Sequence, residues 1–144
     1  MTYCSIADMV TRYNRYQDLK NLCKSDDNPD GDFPNPFIIE AIKAATGECD
    51  SALSAHYALP LKEIPQIIVD IACTIAFGLM NEWRQVGDKD HNQYIAMQQA
   101  RATLSQIQQG KMKLDLPSLA NANNAEIEIN SSGRRFDRNS WKGL

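Results

Sequence analysis

Apolar residues recur at three- and four-residue intervals along most of the chain, the spacing that lines one face of an α-helix. Ser5 heads the first such stretch, through Ile6, Met9 and Val10, with Asp8 placed to complete a capping box at the helix start. Leu19, Leu22 and Cys23 mark a second short helix over residues 16–23. Residues 26–35 break the rhythm with Asp, Asn, Pro and Gly, whose side chains bond their own backbone and favour turns. Asn35 followed by Pro36 then reads as an N-cap with proline at the first helical position, where the missing N–H costs nothing. Ile38, Ile42, Ala45, Cys49, Ala52, Leu53 and His56 continue that helix. Gly47 weakens it by about 1 kcal/mol against alanine and is expected to mark the close approach of another backbone.

Pro60 and Pro65 interrupt the pattern, and the most apolar helix of the chain follows. Its main stripe is expected to comprise Ile67, Ile68, Ile71, Ala72, Ile75, Ala76, Leu79, Met80 and Trp83, with Val69, Cys73 and Phe77 adding apolar surface on other faces. A helix apolar nearly all round is buried in protein or in lipid. Asp70 lies inside it and the apolar run falls short of the ~20 residues a membrane span needs, so a central packed helix is expected, with Val69 and Phe77 available to a neighbouring subunit. Gly87, Asp88 and Asp90 separate it from a last helix carrying Tyr94, Met97, Ala100 or Arg101, Leu104 and Ile107, which Gly110 closes as a left-handed cap. Residues 111–117 alternate polar and apolar, as a short extended stretch would, and residues 118–125 have the Ala and Asn content of a linker. Residues 125–130 alternate cleanly as a lone strand; Ile127 and Ile129 would then need a partner, which a neighbouring subunit could supply.

The expected fold is therefore all-α, a small bundle of about four to five helices over residues 1–116, followed over 117–144 by a linker, a possible strand and an extended basic and aromatic arm. Composition is close to the globular average and decides little. Charge is more informative. The net charge of −3 conceals an arm, residues 131–144, in which Arg134, Arg135, Arg138 and Lys142 face only Asp137, leaving −6 on residues 1–130. An acidic body lacks the basic face that nucleic-acid binding requires. Phe136 and Trp141 stand among the arm's cations, and aromatic side chains beside Arg are the composition of binding hot spots. Arg134, Arg135, Phe136, Arg138, Trp141, Lys142 and Leu144 are accordingly the candidate partner-binding residues.

Catalytic and cofactor signals are missing from the pattern. His56 and His91 have no nucleophile or acid at motif spacing, and no phosphate-cradling glycine loop, G-x-S-x-G or H-E-x-x-H occurs. Cys4, Cys23, Cys49 and Cys73 are widely spaced without C-x-x-C, so reduced thiols are expected rather than zinc or disulfides. The first residues carry no secretory-type segment, which implies synthesis in the cytoplasm. Residues 26–32 resemble the opening of a calcium loop, but the position of its closing glutamate is Phe37, and a solvated turn is the better reading. Asp70 is expected on an exposed strip or paired with Arg or Lys, and Glu82 with Arg84 to be ordinary surface charge. A calcium-responsive module would need that loop to order around metal, and a DNA-binding regulator would need a basic recognition helix.

The order of these features resembles the Mu-like prophage head-tail joining, or head-completion, proteins. The opening Tyr3-Cys-Ser-Ile-Ala-Asp-Met-Val10 is similar to the family's short helix after a tyrosine. Ile38 to Tyr57, running into Ala58-Leu59-Pro60-Leu61, resembles its long helix ending in an Arg-Tyr pair and a Leu-Pro-Leu turn, with His56 here in place of the arginine. Pro65 to Phe77 resembles the next helix, and Ala100 to Leu116 the last with its Gly110 break. The close, Arg135-Phe136-Asp137-Arg138-Asn139-Ser140-Trp141-Lys142-Gly143-Leu144, resembles the family's Arg-x-Phe-x-Arg-x-Ser-hydrophobic-Lys-Gly-hydrophobic signature. The resemblance implies a structural adaptor without cofactors, located in the virion. It would form a homo-oligomeric ring, twelve-fold to match the portal protein above it, and bind the next neck or tail completion protein while packaged DNA passes through unbound.

Overall fold

In the computed structural model, residues 2–12, 16–85 and 92–117 are described. They form five helices and no strand: α1 (Ile6–Arg12), α2 (Tyr16–Cys23), α3 (Pro36–Leu53), α4 (Gln66–Trp83) and α5 (Asn92–Gln108). Helices α3, α4 and α5 pack on one another as the body of the bundle, and α1 lies on α4. No helix among the described residues is long and apolar enough to cross a membrane.

Local chemistry sets most helix ends. The Asp8 amide donates to Ser5 Oγ at 3.1 Å, and the Ser5 amide donates to Asp8 Oδ2 at 2.9 Å. This is the reciprocal capping box, satisfying two orphan amides. Asn35 Oδ1 accepts from the Ile38 amide at 3.1 Å, with Pro36 opening α3. Helix α3 stops at Leu53, before His56, because the chain tightens into a turn in which the His56 and Tyr57 amides both donate to the Leu53 carbonyl. At the end of α5 the Gly110 amide donates to the Ile107 carbonyl and the Lys111 amide to the Gln106 carbonyl. With Gly110 at φ 78°, this is the Schellman closure.

Helix α4 is the centre. Eleven of its eighteen residues are buried, and its polar strip is narrow: Gln66, Asp70 and Thr74, one helical turn apart. Arg12 of α1 covers this strip, its guanidinium 2.7 Å from Asp70 Oδ1 and 3.4 Å from Thr74 Oγ1. Asp70 is thus both on the exposed strip and paired. The apolar stripe differs from expectation at its edges: Ile67 and Trp83 are exposed at 38% and 45%, while Cys73 and Phe77 are buried. The reason is that neighbours enclose α4 on nearly every side, so its least apolar strip, rather than one stripe, decides orientation.

Glycine positions correct a second expectation. A Cβ placed on Gly47 would meet nothing within 4 Å, so among the described residues no other backbone approaches it. The close approach is at Gly78 of α4, where a Cβ would lie 2.6 Å from Met97 Sδ and 2.8 Å from Met97 Cβ of α5. Past α5, Lys111–Pro117 forms no strand, but its alternation survives as burial: Leu114 is buried and Met112 and Leu116 pack against the core, with exposed residues between them.

Candidate interaction surfaces

Three tertiary ties organise the surface. The first holds the N-terminal segment down. The Tyr3 amide donates to Thr46 Oγ1 at 3.3 Å, and the Tyr3 hydroxyl donates to Asp50, both on α3. Burial raises the Tyr3 hydroxyl above its ordinary range, and the Asp50 carboxylate raises it further. Cys4 sits against Cys73 of α4 with both thiols buried; their mutual hydrogen bond, followed by burial, pushes Cys4 up. Burial also pushes the Cys49 thiol up to about 12, with Glu48 and Asp50 adding to it. No disulfide joins the four cysteines and all are buried, so each packs as a small, largely apolar side chain.

The second tie joins the ends of α3 and α5. His56 Nε2 lies 2.9 Å from the Gln108 carbonyl, and the Tyr57 hydroxyl accepts from the buried Leu114 amide at 2.8 Å. The His-Tyr pair is therefore a clasp between two helix ends, placed directly before the Leu-Pro-Leu turn. Along the same two helices lies an open groove of about 500 Å³, bounded by Gly47 and Ser51 on one side and Leu104 and Gln108 on the other. The Glu48–Arg101 pair crosses it, with Arg101 Nε at 3.0 Å from Oε2 and Nη2 at 2.8 Å from Oε1. This two-point bond with Glu48 raises Arg101 above its ordinary value against the opposing effect of burial.

The third tie is at the opposite end of α3. Arg84, just past α4, donates from Nε to the Leu22 carbonyl at 2.8 Å and lays its guanidinium 4.2 Å from the centre of the Phe37 ring. Trp83 meets Phe37 edge-on, with ring centres 5.8 Å apart. Arg84 is thus no ordinary surface charge. It caps the end of α2, stacks on the start of α3 and stays exposed. Sequence reasoning missed this corner because Phe37 and the Leu22 carbonyl lie far from Trp83 and Arg84 in the chain, and a Trp-Arg pair ending an apolar helix carries no periodic signal.

In the acidic loop, Asn28 is used internally: its side chain accepts from the Asp32 amide and donates to the Asp32 carbonyl. Lys20 pairs with Asp32 at 3.0 Å. Gly31, at φ 69°, turns against the Lys20 carbonyl, which a Cβ would approach to 2.0 Å. Among the described residues no three His, Cys, Asp or Glu side chains gather as metal ligands.

Of the sequence-predicted contact residues, Phe77 is buried in the chain's own core and Val69 is half-buried against it. Among the described residues the large apolar side chains exposed instead are Ile39, Leu59, Ile67, Trp83 and Ile95. Ile127, Ile129, Arg134, Arg135, Phe136, Arg138, Trp141, Lys142 and Leu144 lie outside the described residues, as do Gly87, Asp88 and Asp90.

Fold and surface together define a small all-α bundle in which several described polar side chains cap helices or tie their ends together. Its lineage is that of phage proteins. The family described as Bacteriophage Mu, Gp36 matches residues 3–131, most of the chain, and the protein belongs to that family. A comparison with curated proteins finds no match.

Proposed function

We propose that this protein is a structural connector of a tailed phage, not an enzyme: a ring-forming subunit that sits under the portal protein and joins the filled head to the neck or tail. The observation that carries this reading is the family match across residues 3–131, a stretch that takes in every described helix. The closing Arg-Phe-Arg-Ser-Trp-Lys-Gly-Leu signature supports it from the sequence side. Physical features agree with the role. A closed core around α4 makes a rigid block, while exposed Trp83, Ile95, Ile67 and Leu59 offer anchors at separate places, as a subunit with several neighbours requires. A head-to-tail contact repeated by rotation closes into a ring. The net −6 of residues 1–130 would keep passing DNA from sticking to the wall.

The test is mass by light scattering, for the protein alone and mixed with its portal, using the full chain and a chain ending at Asn130. Co-migration in a fixed ratio, lost on removal of Arg134 to Leu144, is the expected result. A monomer indifferent to portal and truncation would overturn the reading.

A further inference from the structure

The Phe37–Trp83–Arg84 corner has features of a receptor that its own fold does not use. Trp83 is the most exposed large apolar side chain of the described residues at 45%, yet its ring is held in place by Phe37. Arg84 is positioned twice over, by the Leu22 carbonyl and by the Phe37 face, so little side-chain freedom remains to be lost on binding. No carboxylate among the described residues pairs with its guanidinium. Glu82, two residues earlier, acts instead on Arg101 of α5. A fixed aromatic ring beside a guanidinium with no carboxylate partner among the described residues suits a segment that alternates carboxylates with aliphatic side chains.

The chain contains one such segment, Glu126-Ile127-Glu128-Ile129. Reach decides whether it comes from the same subunit. Tyr57 ties Leu114 to the C-terminal end of α3, whereas Phe37 lies in the first turn of that helix. Eighteen residues of helix separate the two ends by about 27 Å. From that tie, the twelve residues 115 to 126, drawn out fully at ~3.3 Å each, span about 40 Å. Binding within one chain would stretch that connection to about two-thirds of its full length, with much of its conformational freedom surrendered. A neighbouring copy needs no such extension. A donor leaving one end of the subunit and a receptor at the other is also the arrangement a head-to-tail contact requires.

We propose that the Phe37–Trp83–Arg84 corner receives the Glu126–Ile129 segment of a neighbouring copy, linking successive subunits of the ring. This rests on the connector reading and assigns one of its contacts. Glu126 or Glu128 meets Arg84, and Ile127 or Ile129 lies against Trp83.

Charge exchange tests it in the full-length chain. Self-association and co-migration with the portal are measured by light scattering and sedimentation for the wild type, for Arg84→Glu, for Glu126→Arg with Glu128→Arg, and for all three changes combined. Each one-sided reversal is expected to weaken subunit association by about tenfold or more, and the combined chain to recover most of it. The double change on the segment lies beyond α5, so its thermal midpoint should match the wild type; this separates lost association from lost folding if Arg84→Glu destabilises the corner. A wild type that joins the portal in a fixed ratio, with variants that associate equally well, overturns this contact and leaves the connector reading intact. One-sided losses with no recovery in the combined chain also overturn it, pointing to a portal or neck protein as the acidic partner. A wild type that neither self-associates nor joins the portal overturns both.

Discussion

Helix α5 packs against two neighbours, and its seams with them differ in kind. Against α4 it is pressed so close that Met97 occupies the space where Gly78 would carry a side chain. Against α3 it stands off, leaving the groove that Gly47 lines and that the Glu48–Arg101 bond bridges. Each neighbour is an eighteen-residue helix with one glycine in its interior. The same residue type thus serves close approach in one seam and leaves open space in the other. Helix glycine therefore signals contact only when a partner side chain is identified. The closed seam carries the stability; the open one keeps its polar groups available to solvent.

Substitutions at the two seams should separate these roles. The largest effect is expected from Met97→Ala, which empties a site only 1% exposed and should lower stability by about 3 kcal/mol in urea unfolding. Combining it with Gly78→Ala should cost less than the sum, since the new methyl enters the vacated space; strict additivity would break the account of this seam.

Alkaline pH should come next. The Cys49 thiol, on the buried face of α3 two residues from Gly47, is pushed by burial from an ordinary 9.0 to about 12. The folded protein then holds a proton that the unfolded chain releases. Stability is unaffected below pH 9 and falls as pH rises from about 9 to 12, by at most about 1.4 kcal/mol per pH unit for this group. Thermal midpoints at pH 8 and 10.5 should show the decline in the wild type and a shallower one in Cys49→Ala. Equal slopes would mean that the inner face of α3 is wetter than described.

Gly78→Ala alone should destabilise by about 1–2 kcal/mol, since overpacking against Met97 exceeds the gain in helix propensity. The smallest effect has the opposite sign: Gly47→Ala should stabilise by about 0.5–1 kcal/mol, because open space surrounds the new methyl. Thermal melts of the pair check both, and a loss of stability at position 47 would contradict an open seam.

What could be read beforehand follows the same division. The capping box, the asparagine cap with its proline and the terminal glycine act over three or four residues, so Ser5, Asn35, Pro36 and Gly110 mark their helix ends in the sequence itself. Buried stripes on α3 and α5 are legible because each helix buries one side. Helix α4 is not, since a helix enclosed by neighbours has no single apolar face: the spacing puts Ile67 and Trp83 inside and leaves Phe77 to a neighbouring subunit, whereas the structure exposes the first two and buries the third. Arg84 escapes the local pattern for a related reason: its stacking partner lies 47 positions away and its carbonyl partner 62.

From the sequence alone came the helical class, the order and most ends of the helices, the phage-family resemblance and the acidic-body, basic-arm division, all of which depend on residue type and short-range spacing. Only the tertiary structure decided which glycine admits another helix, that His56 and Tyr57 clasp the end of α5, and that Phe37, Trp83 and Arg84 form one corner. These depend on distances between segments far apart in the chain, and such distances are set by how the helices close around α4 rather than by any local pattern.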